Sequence, residues 1–289
     1  MKLHILVKST ILLLSFSVAT AWAETPISSV PFFINASGSY YLTDSLTSAG
    51  VGIQISANDV TIDLRGHTLT GSATTDPGVY VSAGTNIVVK NGTIKNFSTG
   101  IQSHNSSGTY FGVFNVKAAG NTGLGIDLWG SNNQIEASTA FNNGGVGIYV
   151  GSGSSVLKSS AYNNASDGIS AYDGATLVGN TTSGNGYNGI VTTRGATLSQ
   201  NTSYNNVANG LLCSIGCTVV KNTTYGNQFS GVNPGARSVV KNNTADFNLN
   251  SGIYLTDVSY CLVDGNTATN NGVNINPCST CVFGLNLAP

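Results

Sequence analysis

The chain carries few charged side chains, and some of them stand where they could act on a charged substrate. Asp173 and Arg194 each follow a repeated glycine by five residues, so we expect them at contact distance on adjacent turns of a repeating fold. A cation there could neutralise a substrate carboxylate while a base, His104 or Tyr149, removes the neighbouring proton. The pattern indicates a candidate site for elimination or epimerisation, with a surface salt bridge as the alternative.

Asp127 and Asp173 form a second candidate pair, because hydrolysis of a glycosidic bond needs two carboxyl groups. Their separation is roughly 5–5.5 Å in retaining enzymes and 6.5–9.5 Å in inverting ones. The two residues lie two turns apart in the repeat, which is about 9.6 Å along its axis. They also differ in their position within the turn, which lengthens this distance. Hydrolysis is therefore the less favoured chemistry.

Three aromatic residues, Trp129, Tyr149 and Tyr172, fall at outward positions of predicted strands close to these charges. Trp129 and Tyr172 share one position of the repeat, two turns apart. Flat aromatic faces suit stacking against sugar rings, so the three residues are candidates for carbohydrate binding. The alternative is that strands simply favour aromatic side chains.

These side chains are positioned by a repeat in which a glycine precedes an aliphatic residue. Five consecutive intervals, from Gly147 to Gly252, are 21 residues long. The repeated glycines are Gly52, Gly78, Gly100, Gly125, Gly147, Gly168, Gly189, Gly210, Gly231, Gly252 and Gly272. Asparagines recur in the same register, in one column Asn142, Asn164, Asn185, Asn206, Asn227 and Asn248, and in another Asn180, Asn201, Asn222 and Asn243.

A 21-residue repeat accommodates three short strands and three turns, and it shows no helical period. Stacked turns place equivalent residues about 4.8 Å apart, so a column of asparagines can form a ladder of side-chain amides. Parallel strands joined by crossovers are right-handed with few exceptions. The predicted fold is all-β, a single-stranded right-handed parallel β-helix of about 11 coils.

The N-terminal segment 1–23 has the features of a secretory signal. A basic start precedes a short apolar stretch, and Ala21-Trp22-Ala23 is a small-x-small cleavage site.

Loss of Lys2 and Lys8 with this segment changes the net charge from −1 to −3. This excess of acidic residues disfavours nucleic-acid binding. We expect a secreted or periplasmic protein with an N-terminal cap at 24–50, coils at 51–271 and a C-terminal cap at 272–289.

All five cysteines lie in the C-terminal third, and in an exported protein they are disulfide candidates. They are Cys213, Cys217, Cys261, Cys278 and Cys281. Their odd number and their spacing leave the connectivity open.

No metal site or cofactor is predicted. Copper is disfavoured, since the mature chain has two histidines and no methionine. Calcium at an isolated aspartate such as Asp127 stays an open alternative.

The segment from Asp59 to Gly71, with the sequence DVTIDLRGHTLTG, resembles the opening coil of bacterial β-helix proteins of the pectin-lyase-like superfamily. The resemblance extends over about residues 35–275 and implies the β-helix fold. The superfamily includes polysaccharide lyases, glycosidases, uronate epimerases, tailspikes, adhesins and periplasmic accessory proteins for copper enzymes. Its hydrolases usually carry Asn-Thr-Asp, Asp-Asp, Gly-His-Gly and Arg-Ile-Lys motifs, none of which occurs in this sequence.

The sequence favours a surface that binds polysaccharide, and an acidic polysaccharide is the expected partner. One alternative is a polysaccharide lyase or uronate epimerase, and the other is an adhesin or a structural periplasmic scaffold without catalysis. The missing catalytic motifs favour the functions without catalysis. The outward aromatic residues favour the functions in which the protein contacts a glycan. Whether the chain is an enzyme, which glycan it meets and its oligomeric state stay open at this point.

Overall fold

The computed structural model describes residues 23–72, 75–103, 110–255 and 260–289, and over these ranges the chain has 34 strands and no helix. The strands pair in parallel and stack into a solenoid of about 11 turns at a spacing close to 21 residues. The predicted β-helix is therefore confirmed. No helix that could cross a membrane occurs in the described part of the chain. The predicted signal segment 1–23 lies outside it, except for Ala23.

The strands form three faces. Face 1 contains Phe32–Ile34, Ile53–Ile55, Val79–Val81, Ile101–Ser103, Ile126–Leu128, Ile148–Val150, Ile169–Ala171, Ile190–Arg194, Leu211–Ile215, Val232–Asn233, Ser251–Tyr254 and Val273–Asn276. Face 2 contains Thr25–Ile27, Gly38–Leu42, Val60–Asp63, Gln134–Glu136, Ser155–Leu157, Thr176–Val178, Thr197–Ser199, Thr218–Val220, Val239–Lys241, Leu262–Asp264 and Val282–Phe283. Face 3 contains Leu46–Ser48, Thr68–Gly71, Thr139–Phe141, Ser160–Tyr162, Thr181–Ser183, Thr202–Tyr204, Thr223–Tyr225, Thr244–Asp246 and Thr267–Thr269. Two long strands, Ile87–Lys95 and Phe111–Ala119, run through both faces 2 and 3.

Alternation along each short strand builds the core. On face 1 the outer two residues of a strand point inward, as Ile148 and Val150 do, while on faces 2 and 3 the central residue does, as Val156 and Ala161 do. Equivalent aliphatic residues stack coil upon coil, and each large one contributes about 1.5–3 kcal/mol by leaving water. The repeated glycine has a steric cause. A Cβ on Gly147 would lie 2.6 Å from Nδ2 of Asn164 and 2.7 Å from the carbonyl oxygen of Gly168.

Most of the described turns contain a residue in the left-handed region of φ. In the turn that joins face 3 to face 1 these residues are Asn96, Gly120, Asn142, Asn163, Gly184, Asn205, Gly226, Phe247 and Asn270. Glycine and asparagine tolerate this backbone, whereas a bulky residue there is an outlier. Phe247, with φ of 51° and a side chain that is 65% exposed, is such an outlier.

Two asparagine ladders run through the interior beside the turns. In the first, each Nδ2 donates to Oδ1 of the next member at 2.8–3.0 Å. Its members are Asn121, Asn143, Asn164, Asn185, Asn206, Asn227, Asn248 and Asn271. The second ladder consists of Asn180, Asn201, Asn222, Asn243, Asn266 and Asn286. The ladder prediction is confirmed, with one correction. Asn143 and not Asn142 is the rung, because the coil that contains them has an extra residue and Asn142 takes the left-handed position.

The cysteines form two local disulfides, Cys213–Cys217 and Cys278–Cys281, with Cα–Cα distances of 6.5 and 5.6 Å. Four of the five candidates are therefore disulfide-bonded, and the connectivity that the sequence left open joins near neighbours. Cys261 is buried and belongs to neither bond. Burial raises the pKa of its thiol, against smaller opposite effects of the Ser238 and Arg237 backbone.

Candidate functional site

The outward positions of face 1 form two parallel rows. Row 1 contains the central residues of successive strands, which pair in register, and its members are Gln102, Asp127, Tyr149, Ser170 and Val191. Row 2 contains the residues that follow the inward third residue of each strand, and its members are Trp129, Gly151, Tyr172 and Thr193. Trp129 and Tyr172 thus lie in one row two coils apart, as the repeat predicts.

Trp129, Tyr149 and Tyr172 form one aromatic cluster across the two rows. The ring centroids of Trp129 and Tyr149 are 5.2 Å apart with an interplanar angle of 38°, and those of Tyr149 and Tyr172 are 5.7 Å apart at 66°. Trp129 is 54% exposed and Tyr172 is 44% exposed, while Tyr149 is only partly exposed between them. Two large rings are therefore open to solvent and a third supports them from the neighbouring row.

Gly151 occupies the row 2 position between the two exposed rings. A Cβ at this residue would lie 2.5 Å from the carbonyl oxygen of Trp129 and 2.3 Å from that of Gly130. The close approach of the two coils therefore requires a glycine. Row 2 therefore carries no side chain between Trp129 and Tyr172, and the Tyr149 ring of row 1 contacts both of their rings.

Tyr149 is held as a neutral phenol. Burial raises its pKa above the ordinary range, and so do a side-chain hydrogen bond with Tyr172, the charge of Tyr172 when ionised and the charge of Asp127. A phenol in this state can donate a hydrogen bond near neutral pH but is a poor base. The geometry therefore disfavours Tyr149 as the base that its sequence position suggested, and it suits a hydroxyl that orients a ligand.

Asp127 occupies an outward position but is only 3% exposed. Its strand neighbours in row 1 are Gln102 and Tyr149. Its carboxylate lies close enough to Tyr149 to influence the phenol. Asp127 is therefore a buried neighbour of Tyr149 and is not open to a ligand in solvent.

Asp173 and Arg194 meet on adjacent coils at the edge of the same face. The backbone N–H of Arg194 donates to Oδ1 of Asp173 at 3.0 Å. The Thr193 hydroxyl, this N–H and the Arg194 charge together hold the pKa of Asp173 below its ordinary value. Asp173 is thus an ionised carboxylate, and Arg194 presents an exposed side chain beside it.

Three of the four catalytic candidates, Asp127, Asp173 and Arg194, lie in the described part of the chain, and they do not form one cluster. The structure joins Asp173 to Arg194, and it places Asp127 two coils away beside Tyr149. His104 lies outside the described residues. Sequence reasoning did not find the burial of Asp127 or the close approach of the coils at Gly151. The available signal was the glycine itself, which stands alone at a position otherwise filled by side chains.

A third, short ladder borders the other edge of face 1. Nδ2 of Asn188 donates to Oδ1 of Asp167 at 2.9 Å, and Nδ2 of Asn209 donates to Oδ1 of Asn188 at 3.0 Å. This ladder runs opposite in direction to the other two and ends on a carboxylate. Burial raises the pKa of Asp167, and the two hydrogen bonds from Asn188 oppose that shift.

Two family models match the chain. The one described as "Right handed beta helix region" matches residues 33–185, more than half of the chain. The one described as "Periplasmic copper-binding protein (NosD)" matches residues 210–284. None of the curated proteins is a significant match in sequence.

Several solved structures share the fold. The A-module of the Azotobacter vinelandii mannuronan C-5 epimerase AlgE4 superposes with a TM-score of 0.75 at 17% identity, covering 87% of this chain and 86% of that one. The Dettilon tailspike protein gives 0.62 at 14% identity, with coverage of 85% and 62%. Pectate lyase Pel9A gives 0.52 at 16% identity, with coverage of 86% and 70%. At these identities the similarity shows the fold.

The segment that matches the copper-binding family does not fit a copper site. Copper in proteins is held by thiolate, thioether or imidazole ligands. Residues 210–284 contain no histidine and no methionine. Four of the five cysteines are in disulfides, and Cys261 is buried. In the parts of the chain that the structure describes, no group of three or more His, Cys, Asp or Glu residues is placed to hold a metal ion.

Proposed function

The chain belongs to the right-handed β-helix family, and we propose that face 1 binds a polysaccharide across the aromatic cluster. The observation that carries this proposal is the pair of exposed rings, Trp129 and Tyr172, in one row with a glycine between them. Row positions two coils apart are separated by about 9.6 Å, so a glycan lying along the axis can place different sugar rings on the two aromatic faces. The Tyr149 hydroxyl, which already forms a hydrogen bond with Tyr172, can accept a hydrogen bond from a sugar hydroxyl between them.

An acidic polysaccharide is the finer part of the proposal. Arg194 is exposed at the edge of the face, and its backbone N–H donates a hydrogen bond to Oδ1 of Asp173. A guanidinium in this state can form a bidentate pair with a uronate carboxylate. The polysaccharide-acting proteins among the fold neighbours support a glycan ligand in general.

The experiment is affinity electrophoresis of the mature chain in gels that contain uronans or neutral glycans. Tyr172→Ala removes an exposed ring of the cluster and should reduce the retardation by the glycan. Tyr187→Ala removes a tyrosine that is also exposed but precedes the strand on the opposite edge, so it should leave the retardation unchanged. Equal retardation of both variants would place glycan binding elsewhere on the chain.

A second candidate function is elimination or epimerisation of the same acidic glycan. It is favoured by the ionised Asp173 beside Arg194, since a cation near the substrate carboxylate stabilises the charge that develops when the neighbouring proton is removed. An absorbance assay for unsaturated uronates, with and without calcium, tests elimination. Exchange of the C5 proton with deuterium, followed by NMR, tests epimerisation. If neither occurs while binding persists, the protein is a binding or adhesive module.

We also propose that the protein is exported to the periplasm or secreted. The support is the basic and apolar start of segment 1–23 and the description of the copper-binding family as periplasmic. Fractionation of cells that express the full chain, with mass measurement of the product, tests this. A mature N-terminus at Glu24 in the exported fraction is the expected result.

A further inference from the structure

Face 3 carries a second row of aromatic residues, on a different side of the solenoid from the cluster of face 1. The row runs through strands that pair in register, one residue a coil. Its members are Phe141, Tyr162, Ser183, Tyr204 and Tyr225. Serine is the one member of the five without a ring.

The four rings form two stacked pairs. The centroids of Phe141 and Tyr162 are 5.0 Å apart with planes 11° from parallel, and those of Tyr204 and Tyr225 are 4.7 Å apart at 4°. These separations match the spacing of neighbouring strands, so the rings are stacked along the solenoid axis. In each pair the outer ring therefore covers one face of the inner ring, Tyr162 or Tyr204. The other face of the inner ring is directed toward the coil of Ser183.

The two inner rings bound a slot at Ser183. Two strand spacings, about 9.6 Å along the axis, separate the positions of these two rings. A flat ring in contact with both faces at 3.5–4.0 Å would need about 7–8 Å, so a planar ligand would fit loosely. A puckered pyranose chair is thicker than a planar ring and takes up the remaining space.

The lining of the slot matches the two kinds of surface on a sugar. The walls are aromatic faces, which suit the C–H faces of a pyranose. The floor is formed by the outward hydroxyls of Thr181 and Ser183, which can donate to and accept from sugar hydroxyls. Gly184 follows the floor in the left-handed conformation with φ of 60°, and it adds no side chain that could close the rim.

We propose that this slot is a second binding site, which takes one pyranose ring of a glycan between Tyr162 and Tyr204. The site goes beyond the proposed function of face 1, because it lies on another face and uses none of the same residues. A polysaccharide too short to reach both faces would occupy either site independently.

The test uses the full chain carrying Trp129→Ala, which removes the exposed indole of face 1. Saturation-transfer NMR with the methyl glycosides of glucose, mannose and galactose should show transfer to ring protons of at least one of them. Ser183→Tyr, added to this background, should continue the aromatic stack, fill the slot and weaken that binding by at least about tenfold. Ser183→Ala keeps the width of the slot and should change affinity by about threefold or less.

Tyr204→Leu provides an independent variant that removes one wall, and circular dichroism monitors the fold of each protein. It should also weaken binding of the same glycoside. Unchanged binding in Ser183→Tyr, or no transfer to any glycoside in the Trp129→Ala chain, would overturn the second site. Either result leaves the face 1 proposal standing, provided that the original chain still binds polysaccharide through Trp129.

Discussion

The amide Nδ2 of Asn185 donates to Oδ1 of Asn206 at 2.9 Å, and the backbone N–H of Asn185 donates to the same oxygen at 3.1 Å. A single acceptor atom on the next coil therefore satisfies two of the three N–H donors of this buried residue. Asn185 repeats the arrangement toward the preceding coil, where its own Oδ1 accepts from Nδ2 and N of Asn164. The ladder thus fixes the register of the coils and satisfies backbone groups that the turns leave buried.

Asn185→Ala should destabilise the solenoid by about 3–5 kcal/mol, because it removes the partners of several buried groups at once. The lost contacts include the bond from Nδ2 to the Ala161 carbonyl oxygen at 3.0 Å. Denaturant unfolding measures the change. Asn205→Gly is the matched control, since Asn205 is exposed and its left-handed backbone suits glycine, and it should change stability by about 0.5 kcal/mol or less. Equal effects of the two variants would contradict a structural ladder.

Phe247→Asn should stabilise the protein by about 1 kcal/mol. The change replaces a bulky residue in the left-handed region by one that tolerates it, as Asn205 and Asn270 do in equivalent turns. Little apolar contact is lost, since Phe247 is largely exposed. Thermal unfolding of the two proteins measures the gain. A lower melting temperature would show that the Phe247 ring packs more than its exposure indicates.

Asp167→Asn should make stability less dependent on pH. Because burial raises the folded-state pKa of Asp167 above its ordinary value of 3.8, the folded chain holds this proton more tightly than the unfolded chain does. The contribution of Asp167 to the free energy of unfolding is therefore most favourable at low pH, and it is lost as pH rises through the raised pKa. The amide oxygen of Asn can still accept from Asn188. Unfolding measured at a series of pH values should show that the variant gains most stability over the original protein at neutral pH. A gain in stability confined to acid pH would contradict the raised pKa of Asp167.

Arg194→Gln should weaken binding of a uronan by roughly five- to thirtyfold while leaving a neutral glycan of similar length unaffected, because it removes one charge-assisted contact of about 1–2 kcal/mol. Titration calorimetry at low and high salt measures both effects. The original protein should lose affinity for the uronan as salt rises, and the variant should lose less. Equal loss of neutral and acidic ligands would assign Arg194 a structural role.

Much of the fold follows from the sequence, because a solenoid repeats one local solution. The column that contains Asn180 and Asn201 can be recognised as soon as the 21-residue register is known, since identical spacing implies stacking. The register is ambiguous where a coil has an extra residue. There Asn142 and Asn143 compete for one rung, and only the backbone conformation decides between them.

The candidate site is less readable from the sequence. Alternation places Asp127 outward, but it cannot show that the side chain is covered, because burial depends on neighbours from adjacent coils. The spacing of Tyr162, Ser183 and Tyr204 is visible in the sequence as two intervals of 21 residues. That the rings face each other across the serine depends on ring orientations, which come only from packing.

The most direct test of polysaccharide binding on face 1 is fluorescence titration of the mature chain. Trp22 lies in the predicted signal, so Trp129 is the sole tryptophan of residues 24–289, and its emission reports on this face alone. Binding of a glycan over the indole should change the intensity and shift the emission maximum in a saturable way for at least one uronan, with the response weakened in Tyr172→Ala. A flat response to a full panel of uronans and neutral glycans would contradict the proposal that this aromatic cluster binds polysaccharide.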